Sequence, residues 1–412
     1  MGKKQITAGI DVGTTKIFSC IADLSGERVA VLGTGWAPSR GLKKGMVVNL
    51  SETFQSIKES LDRAESEANV VIESAYVSVG GRLLRSVNTS AETEIRGKSG
   101  RVSNEDISRA VLEAQQLQTP NDSEIIHVLT QSFRLDDQDG IQDPVGLCGS
   151  RLSVRLHVVF NATAVVQNIV SAINRADVNV LGVVMQQLAS GQAVLTEDEK
   201  ELGTVLIDVG GGTTDISVYN QGSIWHSEVL PMGGSLITKD IAIGLRAPLQ
   251  EAERLKIDMG SVYYDSISDE ETVEIQEIGT GRSQTFPRRL LCEIVEARCE
   301  EILQNAAAVI RRSGAQTDLL SGVVLTGGGA LMHGFVERAQ EILAVPVRLG
   351  IPIDLDCSNN DILHPAYATG LGLLKYAHSL RTRDAIKIAK ESVSPQPKAT
   401  TERLKNWIFE KI

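Results

Sequence analysis

The 412-residue sequence predicts an α/β protein built by duplication of a half-domain. Three observations carry this. A strand pattern from Ile6 to Val12 runs into Gly13-Thr14-Thr15 and returns as a second strand, Ile17 to Asp23, which reads as a hairpin. The same unit recurs at Thr204 to Tyr219, where Ile207-Asp208-Val209-Gly210 repeats Ile10-Asp11-Val12-Gly13 and a Thr-Thr pair follows each. Glycine is frequent (37) and aromatics are scarce (4%), as tight strand-to-helix turns require.

Ser51 to Ala68 has helical spacing, with Phe54, Ile57 and Leu61 on one face. Ser103-Asn104-Glu105-Asp106 is a capping-box start for a helix through Gln118. A strand is expected over Arg151–Phe160 and a helix over Ala164–Ala176. The charged stretch Lys239 to Arg289 leads into a helix of about twenty residues ending at Arg312. Val323-Val324-Leu325 reads as a buried strand. It ends in Gly327-Gly328-Gly329-Ala330, expected to open another helix. Residues 390–401 carry Ser394-Pro395-Gln396-Pro397 and read as a flexible linker. Residues 402–412 are amphipathic again.

A net charge of −11 argues against broad nucleic-acid binding, so no nucleic-acid partner is expected. The five cysteines are dispersed, odd in number and form no CxxC pair. That disfavours a disulfide framework or zinc site and fits a reducing compartment. No signal peptide and no run of 18 apolar residues is expected.

The glycine turns suggest phosphate chemistry. A phosphate approaches the backbone closely where no Cβ obstructs it, and backbone N–H groups then point at its oxygens. Gly13, Thr14 and Thr15 would cradle one phosphate, with Lys16 adding a point charge. Gly210, Gly211, Gly212, Thr213 and Thr214 would hold another from the opposite side. Asp11 and Asp208 occupy equivalent strand ends, and such a carboxylate pair would hold Mg²⁺ through its retained waters. Gly327, Gly328, Gly329 and Ala330 would face the adenosine. A lone Gly-rich turn is usually only a turn, but three in this duplicated arrangement point to ATP. Walker A and Rossmann fingerprints are both missing.

These turns resemble the phosphate-1, phosphate-2 and adenosine motifs of the actin, Hsp70 and sugar-kinase superfamily. The resemblance implies an actin-like ATPase fold, with two duplicated α/β domains around a nucleotide cleft that takes ATP and Mg²⁺. Met232-Gly233-Gly234 and the Glu251–Lys256 segment resemble the parts of bacterial actins that reach ribose and base. On that resemblance Gly233, Gly234, Glu253 and Lys256 contact nucleotide. The bland alternative for Glu253 and Lys256 is a solvated helical ion pair.

The stretch Ala75 to Thr163, with its Asp143-Pro144-Val145-Gly146 run, resembles the inserted subdomain 1C of the FtsA family of actin-like cell-division proteins. The run Val194 to Gly203 is FtsA-like too. Carried over, the family's organisation gives 1–82, 163–202 and 350–389 as subdomain 1A and 83–162 as 1C. It gives 203–234 with 300–349 as 2A, and 235–299 as 2B.

In the tail, Leu404, Trp407, Ile408 and Ile412 form one apolar face. Residues 381–412 carry eight basic and four acidic side chains, a net of +4 that leaves −15 elsewhere. A basic, Trp-bearing amphipathic helix suits an anionic phospholipid membrane. The resemblance implies a filament-forming protein at the inner face of the cytoplasmic membrane. It would bind the FtsZ C-terminal tail, its own copies and later divisome membrane proteins. Arg288, Arg289 and Arg298 are candidates for the acidic FtsZ tail. Actin-like proteins often carry Glu-Pro where the chain crosses between halves. Here Gln186-Gln187-Leu188-Ala189-Ser190 has no carboxylate, so ATP is expected to be hydrolysed slowly if at all. The alternatives are a PilM-like scaffold of type IV pilus assembly and a sugar kinase, for which no general base is evident.

Overall fold

The computed structural model describes residues 5–97, 100–116, 121–276, 278–279, 282–314 and 320–392, with side chains as far as Thr382. Residues 390–392, placed at the start of the expected linker, are instead the last of a helix; the rest of the linker and the amphipathic tail, including Leu404, Trp407, Ile408 and Ile412, lie outside the described residues.

The first half opens with strands β1 (Ile6–Val12), β2 (Lys16–Asp23), β3 (Val29–Pro38), β4 (Leu42–Lys43) and β5 (Met46–Val47), then helix α1 (Leu50–Ala68) and strand β6 (Ser74–Val79). Within α1, Ile57 and Leu61 are buried and Phe54 is partly so. The insertion follows: β7 (Arg85–Glu94), α2 (Asn104–Ala114), β8 (Ser123–Leu135), β9 (Gln138–Ile141) and β10 (Arg151–Ala162). It forms its own antiparallel sheet, ordered β7-β10-β8-β9, while β6 stays in the first-half sheet. The capping box at Ser103 and Asp106 is formed, but α2 ends at Ala114 rather than Gln118.

The chain returns through α3 (Thr163–Asn174), β11 (Asn179–Met185), α4 (Gln186–Val194) and α5 (Glu197–Leu202). The second half holds β12 (Thr204–Val209), β13 (Thr214–Asn220), β14 (Ser223–Leu230), α6 (Gly234–Gly244), α7 (Leu249–Met259), β15 (Thr272–Gln276) and β16 (Ser283–Pro287). Then come α8 (Arg288–Arg312), β17 (Val323–Thr326), α9 (Phe335–Leu343), β18 (Val347–Leu349), β19 (Leu355–Cys357) and α10 (Ala368–Ser392). Two mixed sheets result, β11-β6-β1-β2-β3-β19 and β14-β13-β12-β17-β18.

Each half has its own apolar core, and a third core spans the seam. There Leu188, Ala189 and Val194 of α4 meet Leu206 of β12, Val324 of β17 and Leu373 of α10. Helices α4 and α10 cross closely because Gly372 has no side chain. A Cβ there would stand 1.8 Å from the Ala189 carbonyl oxygen. The insertion's sheet lies across the open edge of β14. Asn88 Nδ2 donates to the Trp225 carbonyl at 2.8 Å and Gln131 Nε2 to that of Ile224 at 3.0 Å, while His157 Nε2 lies 2.9 Å from the Ser227 hydroxyl. Side chains thus occupy edge groups that a further strand would otherwise take. Burial pushes His157 down to about 3, the nearby His226 and His127 adding to the shift, so it sits there neutral.

One sequence expectation is corrected. The third glycine turn does not open an α-helix. Gly328–Leu331 is a single 3-10 turn, and α9 begins only at Phe335. Gly327 (φ 84°) and Gly334 (φ 80°) adopt left-handed backbone on either side, which interrupts helical continuity. No helix among the described residues is long and apolar enough to cross a membrane.

Candidate functional site

The two duplicated hairpins meet at the seam, and their registers define which residues are equivalent. Asp11 pairs with Phe18 and Val12 with Ile17, while Asp208 pairs with Asp215 and Val209 with Thr214. The turns close with matching hydrogen bonds, Gly13 N to Lys16 O at 3.1 Å and Gly210 N to Thr213 O at 2.9 Å. Thr14 and Thr15 are therefore the counterparts of Gly211 and Gly212. The repeated Thr-Thr pair in the sequence is two positions out of structural register.

The turns also touch. A Cβ on Gly212 would come within 2.6 Å of Thr14 Oγ1, and one on Gly211 within 2.2 Å of Thr15 Cγ2. Thr14 thus faces the counterpart of Thr15, and Thr15 the counterpart of Thr14, as across a local twofold axis. Side chains on both turns would collide, so glycine is needed on one of them.

Asp11 is 6% exposed and Asp208 8%. Asp11 Oδ1 accepts from the Ser78 hydroxyl at 2.7 Å and from Gln186 Nε2 at 3.5 Å. Asp208 Oδ2 accepts from Thr369 Oγ1 at 3.3 Å, while the nearby Ser190 hydroxyl donates to the Gln186 carbonyl at 3.0 Å. The sequence-predicted pair is brought together, with the Lys16 ammonium attracted by both. Burial raises the Asp11 carboxyl above the usual range. Burial, with Asp11 nearby, raises Asp208 to about 6. Burial lowers Lys16, although both carboxylates oppose the shift.

A third carboxylate was not anticipated. Asp215 is 4% exposed and sits beside Asp208. Its Oδ2 accepts from Thr213 Oγ1 at 3.0 Å, and its Oδ1 has no partner. Burial, then the neighbouring Asp208, pushes it to about 8. Its signal lay in the sequence, because a hairpin reading of the second turn places Asp215 directly opposite Asp208. Ser78, Thr369 and Tyr367 carried no such signal, coming from remote segments that only the fold joins.

The remaining predicted residues divide. Gly233 supports the second turn: a Cβ on it would meet the carbonyl oxygens of Gly210, Gly211 and Thr213 at 2.5–2.9 Å. The Gly234 amide donates to Gly210 O at 2.9 Å and the Ser235 amide to Gly211 O at 2.8 Å, so the start of α6 braces that turn. Thr214 Oγ1 donates to the Met232 carbonyl at 2.9 Å. Lys256 Nζ lies 2.7 Å from Glu253 Oε2 and 3.1 Å from Thr238 Oγ1, forming a helical ion pair. Gly327 lies against Asp208, Gly328 near Ala366 and Gly329 against Val209, with Ala330 buried behind. Arg288 is paired with Glu271, Arg289 with Asp265 and Asp269, and Arg298 with Asp240 and Glu301.

Two buried aspartates at equivalent strand ends, with a lysine and two apposed glycine turns, suit a polyphosphate and its hydrated divalent cation, while no group of three or more side chains able to ligate a metal ion directly occurs among the described residues. Two duplicated halves carrying such turns at their seam define an actin-like nucleotide-binding fold. A family model described as "Cell division protein FtsA" matches residues 205–372, and one described as "SHS2 domain inserted in FTSA" matches residues 81–160. The chain is 38% identical to the cell division protein FtsA of Pseudomonas aeruginosa, over 98% of this chain and 97% of that protein. It is 36% identical to that of Bacillus subtilis (92% and 84%) and 31% to that of Escherichia coli K12 (98% and 98%). The chain belongs to the FtsA family of cell-division proteins. Among solved structures, a PilM–PilN type IV pilus biogenesis complex is similar at a TM-score of 0.62 and 16% identity, covering 91% of this chain and 99% of that one. MreB5 of Spiroplasma citri bound to ADP is similar at 0.55 and 12%, covering 92% and 98%. Both likenesses are of fold.

Proposed function

We propose that this FtsA-family protein binds ATP with Mg²⁺ between its halves, assembles with its own copies, and tethers FtsZ filaments to the inner face of the cytoplasmic membrane at the division site. The observation that carries the nucleotide reading is the convergence of Asp11 and Asp208, from two duplicated turns, on one lysine. Asp11 and Asp208 would hold the cation through its retained waters. The cation's chemistry is to neutralise phosphate charge. Thr14, Thr15 and Lys16 would meet the phosphates from one side, Gly210 to Thr214 from the other, and the Gly327–Ala330 turn the adenosine. Glu253 and Lys256 would reach the nucleotide only on exchanging part of their mutual ion pair. Gln186 places an amide, not a carboxylate, beside Asp11, which supports slow turnover.

Subdomain bounds of 83–162 for the insertion and 235–299 for 2B belong to the same reading. The FtsZ C-terminal tail would meet Arg288, Arg289 and Arg298 by displacing the carboxylates now paired with them. Arg289, the most exposed of the three side chains, is the first contact. The tail residues Leu404, Trp407, Ile408 and Ile412 would attach the protein to anionic phospholipid. Each helix gives weak, reversible binding, and a filament multiplies it. Later divisome membrane proteins would be recruited to that surface.

The test is co-sedimentation with anionic liposomes in the presence of ATP, for the full chain and for Trp407→Glu. The expected result is loss of pelleting in the variant with ATP affinity unchanged. Equal pelleting of both would remove the tail as the anchor.

A further inference from the structure

The segment His364–Thr369 was no part of the nucleotide motifs, yet it touches both halves of the site. The Lys16 ammonium donates to the Ala366 carbonyl and lies over the Tyr367 ring, 4.8 Å from its centroid. The ring itself is held: it stacks on Phe18 with centroids 4.5 Å apart and planes 24° apart. Phe18 is buried, and Gly370 makes room for it, since a Cβ there would stand 2.3 Å from Phe18 Cδ1. On the other side the Pro365 carbonyl accepts from the Gly327 amide at 3.3 Å, and Thr369 Oγ1 reaches Asp208 at 3.3 Å. The segment is thus anchored to the third turn and to the Asp208 carboxylate while it carries the platform under Lys16.

We propose that Tyr367 is a positioning residue for Lys16, holding its ammonium at the cleft so that it serves the terminal phosphates of a nucleoside triphosphate. The inference rests on the nucleotide reading above. A lysine is a compact charge on a flexible stem, and fixing it costs rotamer entropy. An aromatic face attracts the ammonium without neutralising it, unlike a carboxylate. The ring therefore orders the side chain in advance and leaves its charge for phosphate. The Ala366 carbonyl takes one of the ammonium's three N–H donors and the ring accepts no full hydrogen bond, so donors remain for a ligand. Preorganisation of this kind raises affinity without adding a contact to the ligand.

Full-length protein would be titrated calorimetrically with Mg-ATP and with adenosine, for wild type, Tyr367→Phe, Tyr367→Leu, Lys16→Ala and the Lys16→Ala/Tyr367→Leu double variant. Tyr367→Phe keeps the ring and is expected to bind ATP as wild type does. Tyr367→Leu keeps apolar bulk over Phe18 but loses the ring face. Its ATP affinity should fall about three- to thirtyfold, the range of a cation–π contact, with adenosine affinity unchanged. In the Lys16→Ala background the same change should add nothing. Equal weakening of ATP and adenosine, or full additivity with Lys16→Ala, would reduce Tyr367 to a packing residue and overturn the inference. If Lys16→Ala leaves ATP affinity intact, the phosphate role of Lys16 itself fails, and the inference fails with it. Should the leucine variant not fold, Tyr367→Met, flexible enough to fill the same space, carries the comparison.

Discussion

Gly372→Ala tests the seam on which the site depends. The added methyl carbon would stand 1.8 Å from the Ala189 carbonyl oxygen and 2.4 Å from its carbonyl carbon. Ordinary carbon–oxygen contact begins near 3.4 Å, so α10 and α4 must separate by about 1.5 Å locally. The obstruction is backbone, so no rotamer change relieves it. Helix α4 cannot give way freely, since Gln187, Leu188, Ala189, Ser190, Gly191, Ala193 and Val194 are all buried. Overpacking of this kind costs about 1–3 kcal/mol, and exchanging a helical glycine for alanine returns up to about 1 kcal/mol. A clash of 1.8 Å with backbone belongs at the upper end of that range, so a net loss of about 2 kcal/mol remains. With a urea m-value of about 3 kcal/mol/M, the unfolding midpoint should fall by about 0.7 M. Gly244→Ala is the control. Its Cβ would meet only the Ile294 side chain, nearest at Cδ1, 2.6 Å, the tip of a flexible side chain, so its midpoint should stay near that of wild type. ATP affinity should also drop in Gly372→Ala alone, because α4 carries Gln186 to Asp11 and places Ser190 near Asp208. If both variants unfold at the same urea concentration, the two helices are not held at fixed spacing and the reasoning is wrong.

Three further outcomes are expected. Asp215 has a native pKa of about 8, above the ordinary 3.8, so the native state keeps a proton that the unfolded chain has lost. Stability without nucleotide should therefore fall as pH rises from about 4 to about 8, and Asp215→Asn should flatten that slope in thermal melts. Arg348 holds Glu199 through two contacts of 2.6 Å and the Val194 carbonyl at 2.8 Å, joining β18 to the crossing between the halves. Arg348→Met should cost about 1–2 kcal/mol in urea unfolding, allowing for the partial exposure of the arginine. Ser103→Ala removes the α2 capping box and should cost about 1 kcal/mol. Hydrogen exchange should localise that loss to the insertion, with ATP affinity unchanged.

The duplication was legible because a strand ending in Asp-Val-Gly is a local pattern that survives in one dimension. So was the capping box, which spans only four residues. The site was legible to the extent that it is made of turns. Asp11, Lys16 and Asp208 lie within or beside the glycine runs, and the fold brings them together. What escaped came from elsewhere in the chain. Ser78 is the last but one residue of a strand, 67 positions from Asp11, and Thr369 is the second residue of a helix, 161 positions from Asp208. Neither belongs to any glycine pattern. The third turn misled for a physical reason: glycines after a strand commonly open a helix, but here Gly327 in the turn and Gly334 beyond it take positive φ, and the helix waits for Phe335. The glycines at 233 and 211 are a subtler case. Close approach of a ligand explains them, yet the structure gives each a neighbour within the protein that already excludes a Cβ.

Register turns the duplication into an argument about chemistry. Copies of one hairpin facing each other start with identical charges at equivalent positions, and two like carboxylates at a seam repel. Asp11 and Asp208 preserve that starting point. Their cross-strand partners have diverged: Phe18 stands opposite Asp11, and Asp215 opposite Asp208. The turn ends have diverged as well, Lys16 in the first matching Thr213 in the second. The first half thus contributes a cation and an aromatic ring on which Tyr367 stacks, and the second a further carboxylate with an unpartnered oxygen. The site that results is asymmetric: the Lys16 ammonium stands on the side of the first hairpin, while the second carries two acidic groups and no cation. A magnesium nucleotide is asymmetric too, because its phosphate oxygens are anionic and its metal cationic. A symmetric pair of hairpins would bind it in two orientations or in neither. On the nucleotide reading, divergence at Phe18/Asp215 and Lys16/Thr213 would favour one, with residues that leave the hydrogen bond closing each turn in place.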